Sequence, residues 1–212
     1  MAFGRKHPFD RNRTLEVADA ARAKGRRFKA IAEYQKILTH HPDDAAVHGK
    51  LAPLLADVNK KPEALESFRA AADSHTGKGF VDRAIAVYGQ AVDYFPKELD
   101  LWEKIVSLHV ERGRTADAVK VLLRARTKID RRGDRLQAIR WLRRALELEP
   151  NHIDATVDLA RLLAKEGNAP EALLLVRSLT PNVAGPSRRR LRRAEFSVAP
   201  SPKTLWRWWF AG

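Results

Sequence analysis

From residue 84 to 95 the apolar side chains Ala84, Ile85, Tyr88, Ala91, Val92 and Phe95 recur at i, i+1, i+4, i+7, i+8 and i+11. That spacing is a stripe along one face of an α-helix. Ala138, Ile139, Leu142, Ala145 and Leu146 repeat it one unit later, and Ala30, Ile31, Tyr34, Ile37 and Leu38 one unit earlier. No stretch alternates apolar and polar residues with the two-residue period of a strand. The pattern predicts an all-α array of antiparallel helix pairs.

Three markers set its period. Small residues at Ala30, Ala64, Ala84, Ala118, Ala138 and Ala172 are separated by 34, 20, 34, 20 and 34 residues. Five positions before each lies a turn residue: Gly25, Asn59, Gly79, Gly113, Gly133 and Gly167. Glycine, and asparagine after it, accept the left-handed backbone that ends a helix. A small residue lets two helices approach closely. Pro42, Pro96 and Pro150 close successive units at intervals of 54. A 20-residue gap has room for one helix only, so 61–79 and 116–133 each end one pair and begin the next. The expected unit is three helices in 54 residues, over 43–96 and 97–150, with partial units before and after. Pro53, inside "KLAPLLADV", predicts a bend or an early break in its helix.

The 34-residue spacing, turn glycine, paired alanines and closing proline resemble the tetratricopeptide repeat (TPR). "AIAVYGQAVDYFP" carries that family's second-helix pattern at Ala84, Tyr88, Ala91 and Pro96; elsewhere Ile37 replaces an alanine and Leu142 the aromatic. Trp102 sits at the family's tryptophan place. The resemblance covers roughly residues 11–184. It implies a right-handed α-solenoid of TPR-like antiparallel helices that serves as a scaffold or adaptor for proteins. It does not extend to the clamp that holds chaperone tails: Gly49, Pro53, Glu103, Ser107, Val157 and Arg161 occupy the groove positions where that clamp needs Lys, Asn and Arg.

Composition narrows the chemistry. There is no cysteine, which excludes disulfides and thiolate chemistry. The seven histidines form no spaced ligand set, and no phosphate-binding glycine loop or nucleophilic triad stands out. The chain is therefore read as non-catalytic, with no cofactor, metal or small-molecule substrate. His40–His41 reads as a helix-end dipole contact, and His75 and His109 as interior packing. No apolar run reaches the length of a membrane span and the start is polar and basic, so the chain is expected in the cytoplasm, either free or at a membrane surface.

The net charge of +14 is concentrated at the ends, where residues 1–30 and 185–212 each carry +6. Such asymmetry points to partners rather than to fold. The internal stretch 124–144 is also basic. Its Arg124, Lys128, Arg131 and Arg135 read as a solvated outer face, or as a patch for an acidic protein, an anionic lipid or nucleic acid. Nucleic acid is the weakest option, because stacking would rest on Trp141 alone.

Four segments are expected: a basic extension at 1–10, the repeats at 11–184, a flexible basic linker at 185–203 and a Trp-rich plug at 204–212. The linker holds Arg188, Arg189, Arg190, Arg192 and Arg193; the plug holds Leu205, Trp206, Trp208, Trp209 and Phe210. The plug reads in three ways: a lid on the last repeat helix, a hook into another protein, or an anchor on an anionic membrane. The two external readings together outweigh the lid, so the tail is expected to be a docking element.

Overall fold

The structure is a computed structural model that describes residues 9–128 and 134–210. Among these residues there are twelve α-helices and no strand: α1 (Arg11–Ala23), α2 (Arg27–His40), α3 (Ala45–Asp57), α4 (Lys61–Gly77), α5 (Val81–Tyr94), α6 (Leu99–Glu111), α7 (Thr115–Lys128), α8 (Arg135–Leu148), α9 (Ile153–Lys165), α10 (Ala169–Leu179), α11 (Gly185–Val198) and α12 (Pro202–Trp209). The fold is the all-α repeat array that the spacing predicts. Two compact units divide between Leu101 and Trp102, within α6.

The markers have simple physical places. Gly25, Asn59, Gly79, Gly113 and Gly167 have φ of 68°, 60°, 76°, 68° and 86°, the left-handed angles that reverse the chain between helices. Gly133 lies outside the described residues. The small residues Ala30, Ala64, Ala84, Ala118, Ala138 and Ala172 are all buried. Pro42 and Pro150 lie in the turns that follow α2 and α8, and Pro96 in the turn after α5.

In the first unit α4 packs against both α3 and α5, which makes it the shared helix of two successive pairs. The core there joins Ala18, Tyr34, Ile37, Val47, Leu51 and Leu55, with Phe9 packed at its edge. Phe9 also stacks on His40 at 4.0 Å, and the Asp10 carboxylate accepts from the Arg13 amide as the cap of α1. Residues 9 and 10, expected in a basic extension, therefore belong to the repeat fold. Each inward tyrosine is anchored by an aspartate fifteen positions earlier: Tyr34 donates to Asp19 at 2.5 Å and Tyr88 to Asp73 at 2.7 Å. Burial and the Asp19 carboxylate push the Tyr34 hydroxyl up to about 12. Pro53 does not end its helix, since α3 runs on to Asp57. The carbonyl that loses a partner to Pro53 belongs to Gly49, which has open space around it and is half exposed to water.

In the second unit α7 packs on α8, α8 on α9, and α9 on α10. Arg124 of α7 lies over the Trp102 ring of α6 at 5.6 Å. Trp102 and Trp141 are fully buried. The helix starts keep the 54-residue period: Ala45, Leu99 and Ile153 open α3, α6 and α9, while Lys61, Thr115 and Ala169 open α4, α7 and α10.

The expected linker is the main correction. Residues 185–198 are helix α11, which packs against α9 and α10 with Leu191, Ala194 and Glu195 buried. It stands third in its unit, after α9 and α10, as α5 and α8 do in theirs. Its sequence repeats theirs out of step: "LRRA" occurs at 142–145 and again at 191–194, and Ser187 stands four before Leu191 as Ala138 stands four before Leu142. The period shortens because α10 stops at Leu179, followed by one 3-10 turn over Thr180–Asn182. Gly185 and Pro186 do not only end a helix. Pro186 lies in the first turn of the next one, where its missing N–H costs nothing.

Candidate functional site

The site candidates of the second unit gather on α9, α11 and α12. A cavity of about 270 Å³ is lined by Asp154, Val157, Asp158 and Arg161 of α9 and by Arg190 and Arg193 of α11. Two groove positions named from the sequence, Val157 and Arg161, thus meet two arginines of the supposed linker. The charges are partly matched within the wall: Arg190 pairs with Asp154, Arg161 lies 3.8 Å from Asp158, and Arg126 reaches Asp158 from α7 at 3.6 Å. Glu103, another groove position, accepts from the Trp141 indole at 2.7 Å and faces Arg144 at 3.6 Å.

Helix α12 begins with a closed hydrogen-bonded cap. The Ser201 hydroxyl accepts from the Thr204 amide at 3.2 Å, and the Thr204 hydroxyl accepts from the Ser201 amide at 3.0 Å. Pro202 at its first position presets the helical angle. Its inner side is fixed to α11 by two contacts. The Trp208 ring stacks on Phe196 at 5.7 Å, and the Arg193 guanidinium lies over it at 6.0 Å. Arg207 donates to Glu195 at 3.1 Å. On the outer side Trp206, Trp209 and Phe210 are 64%, 71% and 65% exposed, and Leu205 is exposed beside them. The five residues of the expected plug are therefore split: Trp208 packs inward and the other four face out.

Glu195 organises this region. It is fully buried, yet it accepts from three arginines on three helices: Arg177 of α10 at 2.8 Å, Arg192 of α11 at 2.7 Å and Arg207 of α12. Burial alone would raise its carboxyl; the hydrogen bonds from Arg177 and Arg192 outweigh that and hold it below the usual carboxylate range. A buried carboxylate is tolerated because it is paired and hydrogen-bonded on both oxygens. Nothing in the periodicity marked Glu195, which the sequence places just after an arginine run. The signal that could have found it is its standing as the one acidic residue among seven basic ones between 185 and 212.

The remaining basic residues are less free than the sequence suggests. Arg135 pairs with Glu166 at 2.8 Å, Arg143 with Glu171 at 2.7 Å, and Arg188 donates to the Val183 carbonyl at 2.8 Å. Arg124 covers Trp102, Lys128 is exposed at the end of α7, and Arg131 lies outside the described residues. Arg189, Arg193 and Lys203 are exposed. Trp141 is buried against Glu103, so it offers no face for stacking a base. His75 and His109 keep Nδ1 atoms buried without a hydrogen-bond partner, and the His75 ring meets Phe80 edge-on at 6.5 Å. Burial, with Arg83 and Lys78 nearby, lowers the His75 value.

Three solved structures show a limited likeness to this chain. A putative kinesin light chain with TPR-like repeats from Podospora anserina is 16% identical, with 95% of this chain and 94% of that chain covered and a TM-score of 0.41. A tetratricopeptide repeat protein from Parabacteroides merdae is 14% identical, with 93% and 88% covered and a TM-score of 0.33. MamA is 17% identical, with 95% and 85% covered and a TM-score of 0.28. At TM-scores below 0.5 these likenesses carry no functional weight. No curated protein sequence matches significantly. Tetratricopeptide-repeat family models match residues 15–78, 70–131 and 131–194, the last reaching through most of α11. The chain belongs to the tetratricopeptide-repeat family.

Proposed function

We propose that this chain is a non-catalytic scaffold or assembly factor with two working surfaces. The repeat groove holds a protein partner, and the α11–α12 segment docks the resulting assembly elsewhere. Membership in a family of protein-interaction scaffolds supports the first surface. The second rests on one observation: α12 is fixed on its inner side while four large apolar residues, Leu205, Trp206, Trp209 and Phe210, are left facing water. A lid would bury those residues against the repeats. A docking element leaves them out, and tryptophan is a frequent anchor of interfaces.

Cross-linked affinity capture with two variants tests the division of labour. Arg161→Glu reverses the charge of the cavity wall between α9 and α11. Trp206→Ala/Trp209→Ala/Phe210→Ala strips the outer face of α12. The expected result is that the first loses bound proteins that the second retains, and that the second alone changes the fraction in which the protein is recovered. Identical behaviour of both variants and the parent would overturn the proposal.

A further inference from the structure

Resting on the reading of α11–α12 as a docking element, we infer that this element is an interfacial anchor for an anionic lipid surface. The outer face of α12 enters the headgroup zone, and the exposed cations beside it meet lipid phosphates. Residues 185–212 hold seven basic side chains and one acidic one. That single carboxylate, Glu195, is fully buried and held by Arg177, Arg192 and Arg207. The segment therefore shows the solvent cations and no side-chain carboxylate of its own. Arg190 is matched by Asp154 of α9, but Arg189, Arg193 and Lys203 stand exposed.

Residue type and position agree with this. Lys203, Trp206 and Phe210 fall at i, i+3 and i+7, so one cation and two aromatic rings share a helix face, with Trp209 beside them. Tryptophan prefers the water–hydrocarbon boundary, where its ring is embedded and its N–H stays hydrated. Size then decides between a bilayer and a protein. A stable protein interface needs about 800 Å² on each side, more than two turns of helix with four apolar side chains supply. A bilayer needs no matching shape; it adds the insertion of each ring to roughly a five-fold gain for every basic residue near an anionic surface. Among the described residues no helix is long and apolar enough to cross a membrane, so the anchor lies in the interface. The Arg207–Glu195 and Trp208–Phe196 contacts set the orientation of α12 before the surface is met, which lowers the ordering cost of binding.

Vesicle co-sedimentation of the full chain at low ionic strength tests the inference. The probes are vesicles of phosphatidylcholine alone and vesicles with about one third phosphatidylglycerol, an anionic surface. The expected result is sedimentation with the anionic vesicles only, with a blue shift of tryptophan emission. That shift reports the outer face, because Trp102 and Trp141 are already buried. Trp206→Ala/Trp209→Ala/Phe210→Ala should weaken binding by about a hundred-fold or more, and Arg189→Ser/Lys203→Ser by roughly 25-fold. Both variants change exposed side chains, and an unchanged melting curve verifies their fold. The inference is overturned if the full chain ignores anionic vesicles at low salt, or if the aromatic variant binds them as well as the parent. If vesicles are ignored while the aromatic variant loses a purified protein partner, the lipid surface is wrong and the docking element stands. If neither vesicles nor any partner responds to that variant, the docking reading itself falls.

Discussion

At φ 68° an alanine carries a steric cost of about 1–2 kcal/mol that glycine does not, and Gly113 holds that angle with open space where a Cβ would sit. Gly113→Ala should therefore destabilise by about that amount through the backbone alone, read as a lower urea midpoint. Asn59 holds φ 60° at the equivalent turn, and asparagine already tolerates it. Asn59→Gly should shift the midpoint little, because glycine also accepts that angle. Equal losses at both positions would contradict this account of the turns. These residues were legible in the sequence because each has one local requirement, a left-handed angle or a small side chain. The aspartates under Tyr34 and Tyr88 were not. Their role depends on the distance between two helices, and only the folded pair shows it.

Helix α11 shows where spacing misleads. A search at a fixed 54-residue interval passes over "LRRA" at 191–194, because the shortened α10 moves it to 49 residues after its counterpart. Arginines also disguised the helix. They put the apolar share of one turn on Leu191 and Ala194, while Glu195 is buried by charge pairing. The clasp around Glu195 makes its own prediction. Glu195→Gln keeps the shape and removes the charge that three arginines share. The second unit should lose about 1–3 kcal/mol, and Trp208 emission should shift to the red as α12 loosens. Asp154→Asn, which breaks the exposed pair with Arg190, should cost about 1 kcal/mol or less. Because folding lowers the Glu195 value, its contribution is complete above the ordinary carboxylate range and is lost as pH falls out of that range and through the lower folded value. The Trp208 signal followed from neutral to acid pH checks this, and Glu195→Gln should flatten that part of the profile.

Across the whole chain, charge and repeat structure occupy different places. Residues 31–184 hold 24 basic and 22 acidic side chains, nearly balanced, and many of their arginines pair across neighbouring helices, as Arg69 does with Asp100 and Arg143 with Glu171. The repeats thus use charge to bind their own helices, each exposed pair adding little. The excess beyond residue 184 is used differently, around one buried carboxylate and beside an exposed aromatic face. This account depends most on α11 being a packed helix rather than a leash, since the Trp208–Phe196 and Arg207–Glu195 contacts tie α12 to it. Hydrogen exchange of the free protein over 185–210 measures that directly. The account predicts that the amides around Leu191–Val198 are protected to a degree comparable with α9. Exchange of those amides at the rate of an unstructured chain would contradict it, and would release the aromatic face from any fixed orientation.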